Sequence, residues 1–114
     1  MTTTPRNADS RCPISASLEV VGEKWTLLIL RDVYRGLHRF SQLERSLGCP
    51  KTLLAQRLRK LVNAGILAKE SYREEGQRAR AAYTLTAKGR DLAPILLALQ
   101  EWGLKHVDGT RVPR

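Results

Sequence analysis

Apolar side chains recur at helical spacing along most of the chain. Ile14, Leu18 and Val21 are spaced as i, i+4 and i+7, which predicts a short helix that ends at Gly22. Residues 24–34 are apolar on nearly every face, which is typical of a buried central helix. The pattern therefore predicts that two helices open the domain and that the second lies in its core.

A second pair of helices follows. Residues 41–44, Ser-Gln-Leu-Glu, form a capping box that predicts a short third helix ending near Leu47, with Ser41 as its cap. A tight turn at residues 48–50 leads into a fourth helix, with Pro50 at its first position. The residues expected to be buried on the fourth helix are Leu54, Leu58 and Leu61. Two helices joined by a turn of about three residues form a helix-turn-helix.

The period of the pattern changes after the fourth helix. Residues 67–73 and 80–85 alternate like strands on either side of a charged turn, which predicts a hairpin. Residues 87–106 predict one long helix, capped by Thr86 and kinked at Pro94, where a backbone hydrogen bond is lost. The apolar stripe of this helix comprises Leu92, Ile95, Leu96, Leu99, Trp102 and Gly103. The predicted fold class is thus mainly α with a small β-hairpin (α+β), a winged helix-turn-helix.

Length and composition fit one domain between two short tails. The 114 residues, 42% of them hydrophobic, suit one modest core. Residues 1–11 and 108–114 lack periodicity and are expected to be flexible, which leaves residues 12–107 as the folded domain. No apolar run approaches the ~18 residues that cross a bilayer, and no secretory signal opens the chain. A cytoplasmic protein without a membrane partner is therefore expected.

Positive charge is concentrated in the middle of the chain. The formal net charge is +9, and residues 39–80 hold ten Lys/Arg against four acids, a net of +6. A basic segment between near-neutral ends is the footprint of a nucleic-acid-binding surface. Single-stranded bases stack on aromatic platforms, and the chain has only six aromatic residues, so double-stranded DNA is the expected partner.

The outward face of the fourth helix carries side chains that suit the major groove. Gln56 can pair with adenine and Arg59 with guanine, while Lys51 can meet a phosphate at the helix N-terminus. The alternative is an ordinary solvated helix face, but the adjoining arginine-bearing hairpin favours DNA, because a basic wing can follow the minor groove or the backbone. Arg57 is either a further phosphate contact or is held within the domain by an acid. The predicted DNA contacts are Lys51, Thr52, Gln56, Arg59 and Lys60 on the helix, Arg39 and Ser41 before it, and Arg73, Arg78 and Arg80 on the wing.

Patterns that would indicate catalysis or metal binding are missing from the sequence. The two cysteines and two histidines stand as single residues and not at metal-ligand spacing. The glycines form no phosphate-binding loop. We therefore expect no enzyme activity, no metal and no cofactor. His38 is expected to be solvated or to contact a phosphate, and His106 to pack at an interface.

Several short motifs follow one another in a specific order along residues 12–106. They are Cys12-Pro13, Gly22-x-Lys24-Trp25, Leu27-Leu28-Ile29-Leu30-Arg31, Arg39-Phe40-x-x-Leu43, Leu54-x-x-Arg57-Leu58-x-x-Leu61, Gly65-Ile66-Leu67, Tyr83-x-Leu85-Thr86-x-x-Gly89 and a late Trp102. Each motif is weak alone. In this order and spacing they resemble the HxlR family of bacterial winged-helix regulators, relatives of the broader MarR group.

The resemblance implies a transcription regulator, here expected to be a repressor, that binds an inverted-repeat operator as a homodimer. In the family the first and last helices form the dimer interface. Cys12 matches an N-terminal cysteine through which some members sense oxidants or electrophiles, whereas Cys49 stands where the family usually has an aliphatic residue. Both precede a proline at a predicted helix start, where the helix dipole favours a thiolate. One expectation is a redox switch that pairs Cys12 with the partner subunit's Cys49; the other is that Cys49 is a small buried apolar residue.

A different class of function stays open, a winged-helix small-molecule sensor or protein–protein adaptor without thiol sensing. An effector pocket at a dimer interface could be lined by Trp25 and Trp102, although tryptophans at such positions are more often core. An adaptor has no need of an arginine-bearing wing. A steep fall in DNA affinity with salt would therefore separate the DNA-binding class from the adaptor class.

Overall fold

A computed structural model describes residues 12–112 of the chain. Its elements, in chain order, are α1 (Pro13–Val21), α2 (Lys24–Tyr34), α3 (Phe40–Leu47), α4 (Lys51–Asn63), β1 (Leu67–Tyr72), β2 (Arg80–Leu85), α5 (Ala87–Arg90) and α6 (Ala93–His106). The predicted α+β class is confirmed: α3 and α4 form the helix-turn-helix, and the hairpin of β1 and β2 is its wing. The segment 1–11, predicted to be flexible, lies outside the described residues.

The core forms around α2. Ile29, Leu30 and Val33 are buried there and belong to one apolar cluster with leucines of α3 and α4. The α4 residues in this cluster are Leu54, Leu58 and Leu61, as their spacing predicted. Burying one such side chain stabilises the fold by about 1.5–3 kcal/mol, so these three leucines fix the fourth helix on the second.

The start of α3 differs from the prediction. Ser41 is not the cap, because the helix begins at Phe40 with Arg39 at the N-cap position. The side-chain oxygen of Gln42 accepts hydrogen bonds from the backbone N–H groups of His38 (3.1 Å) and Arg39 (3.0 Å). These two N–H groups precede the helix, and the long Gln42 side chain extends back to accept from both. The short side chain of Ser41, inside the first turn, does not reach them.

The turn of the helix-turn-helix spans residues 48–50. Gly48 ends α3 in the left-handed conformation with φ of 66°, which a residue without Cβ adopts readily. Pro50 is the N-cap of α4 and not its first helical residue, so the helix starts one residue later than predicted. Cys49, between them, is buried in the core.

The wing is an antiparallel hairpin whose root is attached to the start of α3. The register runs from Leu67 opposite Leu85 to the outer end of both strands. The N–H of Tyr83 donates to the carbonyl oxygen of His38 at 2.8 Å, and Nδ1 of His38 lies 2.9 Å from the carbonyl oxygen of Tyr83. His38 is thus half-buried with its ring bonded to β2 and is not simply solvated, while a phosphate contact of this residue stays a prediction.

The prediction of one long helix over residues 87–106 is also wrong. The chain forms α5, leaves the helix at residues 91–92 and restarts as α6 with Pro94 in the first turn. A proline at a helix start loses no hydrogen bond, whereas the same residue inside a helix would. Thr86 caps α5 as predicted, since its hydroxyl accepts from the N–H of Gly89 at 3.0 Å.

Helix α5 lies very close to the segment that enters β1. The N–H of Thr86 donates to the carbonyl oxygen of Ile66 at 3.1 Å, and the hydroxyl of Tyr34 donates to the carbonyl oxygen of Gly89. A Cβ at Gly89 would come closer than 3.0 Å to the Ile66 carbonyl oxygen. A glycine is therefore needed at this position for packing.

A fully buried carboxylate joins α2 to α3. Asp32 accepts hydrogen bonds from Nε of Arg31 at 3.0 Å and from the hydroxyl of Ser46 at 2.7 Å, and it lies 3.6 Å from a guanidinium nitrogen of Arg35. Burying a charge is costly unless it is paired and hydrogen-bonded. Ser46 belongs to α3, so its hydrogen bond to the Asp32 carboxylate fixes the helix-turn-helix on α2.

Candidate nucleic-acid interface

One face of α4 is polar and exposed, opposite its three buried leucines. The exposed residues are Lys51, Thr52, Gln56, Arg59, Lys60 and Asn63. Backbone N–H groups of the first turn and the helix dipole add positive potential where Lys51 begins the helix. Such a face can offer an amide and a guanidinium to base edges and an ammonium to a phosphate.

Two basic side chains of α4 are held by the first part of the chain. Nζ of Lys60 donates to the carbonyl oxygen of Glu19 in α1 at 3.1 Å. Nε of Arg57 donates to Oε1 of Glu23 at 3.0 Å. The sequence left two roles open for Arg57, a phosphate contact or a bond to an acid within the domain, and this geometry supports the second. The two bonds hold α4 against α1 and the N-terminus of α2.

Glu23 connects the N-terminus of α2 with α4. Besides binding Arg57, its carboxylate caps α2 by accepting from the N–H of Thr26 at 3.1 Å. Burial alone would raise the pKa of Glu23, but the Thr26 N–H and the Arg57 guanidinium outweigh it, so the pKa lies below the ordinary 4.5. The carboxylate is therefore ionised at neutral pH and keeps both contacts.

The wing presents its arginines around the hairpin tip. Nε of Arg73 donates to the carbonyl oxygen of Gln77 at 2.7 Å, which closes the turn. Arg78 and Arg80 are exposed on the returning side of the hairpin. The three predicted wing residues therefore lie at or beside the tip of the hairpin that β1 and β2 form.

Arg39 lies between α3 and the wing. Its guanidinium carbon is 4.3 Å from the centre of the Tyr72 ring, and its NH1 nitrogen is 3.7 Å from Oε2 of Glu74. Ser41 is exposed two residues further on. Sequence reasoning selected Arg39 and Ser41 but missed Tyr72 and Glu74, because residues so distant in the chain leave no local pattern that pairs them.

Tyr83 of β2 joins the wing to α4 through the core, because it belongs to the same buried apolar cluster as Leu54, Leu58 and Leu61. Burial raises the pKa of Tyr83 above the ordinary 10.0, and the positive charge of Arg59 acts in the opposite direction.

Sequence and structure comparisons assign the chain to a family. A profile described as HxlR-like helix-turn-helix matches residues 20–111. The chain belongs to the HxlR family. An uncharacterised HTH-type transcriptional regulator of Mycobacterium tuberculosis strain H37Rv is 44% identical over 94 residues, which are 82% of this chain and 58% of that protein. This HxlR-family chain therefore spans less than two thirds of the length of that curated relative.

Solved structures resemble the HxlR-family chain along most of its length. The crystal structure of PA1607, a protein assigned as a transcription factor, has a TM-score of 0.79 at 36% identity and covers 96% of this chain and 78% of that one. The redox regulator HypR in its reduced form has a TM-score of 0.76 at 32% identity and covers 84% of this chain and 94% of that one. These similarities agree with the winged-helix architecture described above.

The two cysteines of the HxlR-family chain lie in different environments. Cys12 is exposed at the N-cap of α1, where its Sγ accepts from the N–H of Ser15 at 3.5 Å. Cys49 is only 3% exposed, and burial together with the nearby Glu23 carboxylate raises its pKa, which Arg57 only partly offsets. The thiolate that a helix start was expected to favour at Cys49 is thus disfavoured by burial. In residues 12–112 no three His, Cys, Asp or Glu side chains gather as metal ligands would.

Helix α6 and the outer face of α1 expose apolar surface. No residue of α6 is fully buried, although Leu96 packs partly buried against the core. Trp102 is 61% exposed, with its ring 5.1 Å from that of His106. Ile14 on α1 is 73% exposed and Leu18 is exposed beside it. None of the helices between residues 12 and 112 combines the length and apolarity that a bilayer crossing requires.

An open cleft of about 570 Å³ lies between α2 and α6. Its lining includes Leu27, Leu28 and Arg31 of α2 and Leu96, Leu97 and Leu104 of α6. Trp25 and Trp102 do not line it; Trp25 packs against the core instead. The cleft is a predominantly apolar surface that is open to solvent in one copy of the chain.

Proposed function

We propose that this HxlR-family protein is a sequence-specific transcriptional repressor that binds double-stranded DNA as a homodimer on an inverted-repeat operator. The observation that carries the proposal is the exposed polar face of α4 beside an arginine-bearing wing, within a segment of net charge +6. A helix of this kind fits the major groove, and a basic wing fits the adjacent backbone or minor groove. Similarity to proteins named as transcriptional regulators supports the same function.

The proposed contacts divide into base readers and phosphate contacts. Gln56 and Arg59 occupy the middle of the exposed α4 face and are proposed to read base edges. Phosphate and groove contacts are proposed for Lys51, Thr52, Lys60, Arg39, Ser41, Arg73, Arg78 and Arg80. Lys60 would have to leave the carbonyl oxygen of Glu19 to reach DNA, so it should contribute least of the helix cations.

The proposed dimer buries the apolar surfaces of α1 and α6 against a second copy. Ile14 and Leu18 project from α1, and the cleft between α2 and α6 offers a complementary apolar seat. Covering such a surface removes the cost of exposing a contiguous apolar patch. A two-fold dimer would present two α4 helices to half-sites about 34–36 Å apart, which accounts for an inverted-repeat site.

Fluorescence anisotropy with a labelled duplex from upstream of the protein's own gene tests DNA binding. We expect specific binding, two subunits per site, a steep decrease with salt, and a loss of about tenfold or more for Gln56→Ala or Arg59→Ala. Lys105→Ala, which removes an exposed charge from the last turn of α6, is the control and should bind as the parent does. Equal affinity for a scrambled duplex would refute the sequence-specific proposal, and no binding at low salt would favour the adaptor or small-molecule sensor.

Sedimentation tests the dimer separately. Ile14→Glu places a charge on the exposed apolar face of α1 and should shift the protein to monomer. Glu19→Gln changes the charge by the same amount at an exposed position on another side of the same helix and should leave the dimer intact. A parent protein that sediments as a monomer at all concentrations would refute the proposed assembly.

A redox response through Cys12 is a second proposed property, favoured by its exposure and by the similarity to the redox regulator HypR. A peroxide would oxidise the Cys12 thiolate to a sulfenic acid, and a second thiol would then displace water to form a disulfide. Because Cys49 is buried, it can act as that second thiol only after the turn at residues 48–50 opens. If Cys12→Ser lost operator binding in oxidant as fully as the parent does, the redox proposal would fail.

A further inference from the structure

Arg39, Tyr72 and Glu74 form a small cluster at the root of the wing, here called the Arg39 clamp. Arg39 is the N-cap of α3, and its backbone is fixed by the Gln42 side chain and by an antiparallel bridge to Ala82 of β2. Its side chain then crosses to the wing, where the guanidinium lies over the Tyr72 ring at 4.3 Å and 3.7 Å from the Glu74 carboxylate. The clamp therefore links the helix-turn-helix with the wing through one cation.

The two contacts of this guanidinium use different parts of it. A cation over an aromatic ring is attracted by the ring face, which leaves the N–H groups at the guanidinium edge available for acceptors. The Glu74 carboxylate occupies only that edge, through one contact longer than an ordinary hydrogen bond. Both side chains of the ion pair are partly exposed, at 42% and 61%, so solvent weakens their attraction and the pair can exchange partners.

The turn fixes the backbone of Glu74 beside Arg39. The N–H of Gln77 donates to the Glu74 carbonyl oxygen at 2.9 Å, and Arg73 closes the same turn. The Glu74 carboxylate itself is exposed and lies 3.7 Å from NH1 of Arg39, on the guanidinium edge that can also bind a phosphate. Arginine binds phosphate through paired N–H groups, a better match than this single carboxylate contact.

We propose that Glu74 is an intramolecular substitute for a DNA phosphate, and that DNA binding displaces it from Arg39 while Tyr72 keeps the guanidinium in place. Tyr72 is thus a positioning residue and Glu74 an inhibitory one. The clamp depends on the DNA-binding function proposed above. It adds that the affinity for DNA backbone is set below its maximum by one carboxylate of the wing.

Glu74→Gln tests the clamp, with Glu75→Gln as a matched control. Both substitutions remove one negative charge from adjacent exposed residues of the wing tip, but only Glu74 binds Arg39. We expect Glu74→Gln to raise the affinity for any duplex by about two- to fivefold relative to Glu75→Gln. The slope of log Kobs against log salt should steepen by about 0.9, the value of one more phosphate contact.

Further variants separate the clamp from a general effect of charge. In an Arg39→Ala background the gain from Glu74→Gln should disappear. Tyr72→Leu should reduce that gain and Tyr72→Phe should retain it, because the phenylalanine ring preserves the platform. Equal effects of Glu74→Gln and Glu75→Gln in a protein that binds DNA would overturn the clamp alone, whereas a protein that binds no duplex would overturn the proposed function together with it.

Discussion

Replacing Gly89 with alanine should destabilise the domain, although alanine is the better helix former. The added Cβ would come closer than 3.0 Å to the carbonyl oxygen of Ile66 and would lie 3.1 Å from Cδ2 of Leu85. The leucine methyl can rotate, but the carbonyl belongs to backbone that also accepts the Thr86 N–H bond. Relief therefore requires α5 to move away from residue 66.

The magnitude follows from what that movement breaks. Overpacking a tight site costs about 1–3 kcal/mol. Displacing α5 also weakens the bond from Thr86 to Ile66 and the bond from Tyr34 to the Gly89 carbonyl oxygen, each of which contributes about 1 kcal/mol. The higher helix propensity of alanine returns about 1 kcal/mol. We expect a net loss of about 2–4 kcal/mol in the free energy of unfolding.

Urea unfolding followed by far-UV circular dichroism measures this loss. With a slope of about 2 kcal/mol/M, the midpoint should fall by about 1–2 M. Lys88→Ala in the same short helix is the control, because its exposed bond to the Ala64 carbonyl oxygen should contribute less than about 1 kcal/mol. A Gly89→Ala protein as stable as the parent would refute the reasoning, since helix propensity would then outweigh the close approach of α5.

Three further predictions concern the core and the titratable groups. Leu58→Ala should lower the free energy of unfolding by about 2–5 kcal/mol, measured in urea, because its side chain is fully buried; a loss below about 1 kcal/mol would contradict that burial. Glu23→Ala should cost about 1–2 kcal/mol at neutral pH through loss of the α2 cap, and the difference from the parent should shrink below pH 4.5 as the parent carboxyl is protonated; a difference independent of pH would contradict the lowered pKa. Burial raises the pKa of Cys49 above 9.0, so the free energy of unfolding should fall as the pH rises past that value, and less steeply in Cys49→Ala. In the native protein iodoacetamide should modify Cys12 far faster than Cys49, and equal rates would contradict the burial of Cys49.

Local periodicity was enough to predict most elements of this fold. The spacing of Leu54, Leu58 and Leu61 predicted the buried face of α4, because apolar residues at helical spacing lie on one face and that face packs against the core. The hairpin was likewise predicted to within one residue at its ends. Such features depend on residues close together in the sequence, so they can be recognised without knowing what packs against them.

Features that depend on distant residues were missed. Pro94 was predicted to kink one long helix, whereas it lies in the first turn of a new helix. The helix before it, α5, packs closely against Ile66, a contact between distant residues that the local pattern does not show. The apolar pattern of α6 indicated a face to be covered but not which molecule covers it. The sequence left open that an acid holds Arg57, but it did not identify Glu23 as that acid, because the two residues lie 34 positions apart and no local pattern pairs them.

The attachment of the wing root to residues 38–39 has a kinetic consequence. Two contacts join His38 to Tyr83, one between their backbones and one from the His38 ring to the Tyr83 carbonyl oxygen. The root of the wing and the start of α3 are therefore a single rigid unit before any ligand arrives. A partner that engages both surfaces therefore meets them already oriented, and only the tip has to adjust. Encounter should then be limited by diffusion and electrostatic steering and not by a slow conformational step, so that differences in affinity among target sites appear mainly as differences in residence time.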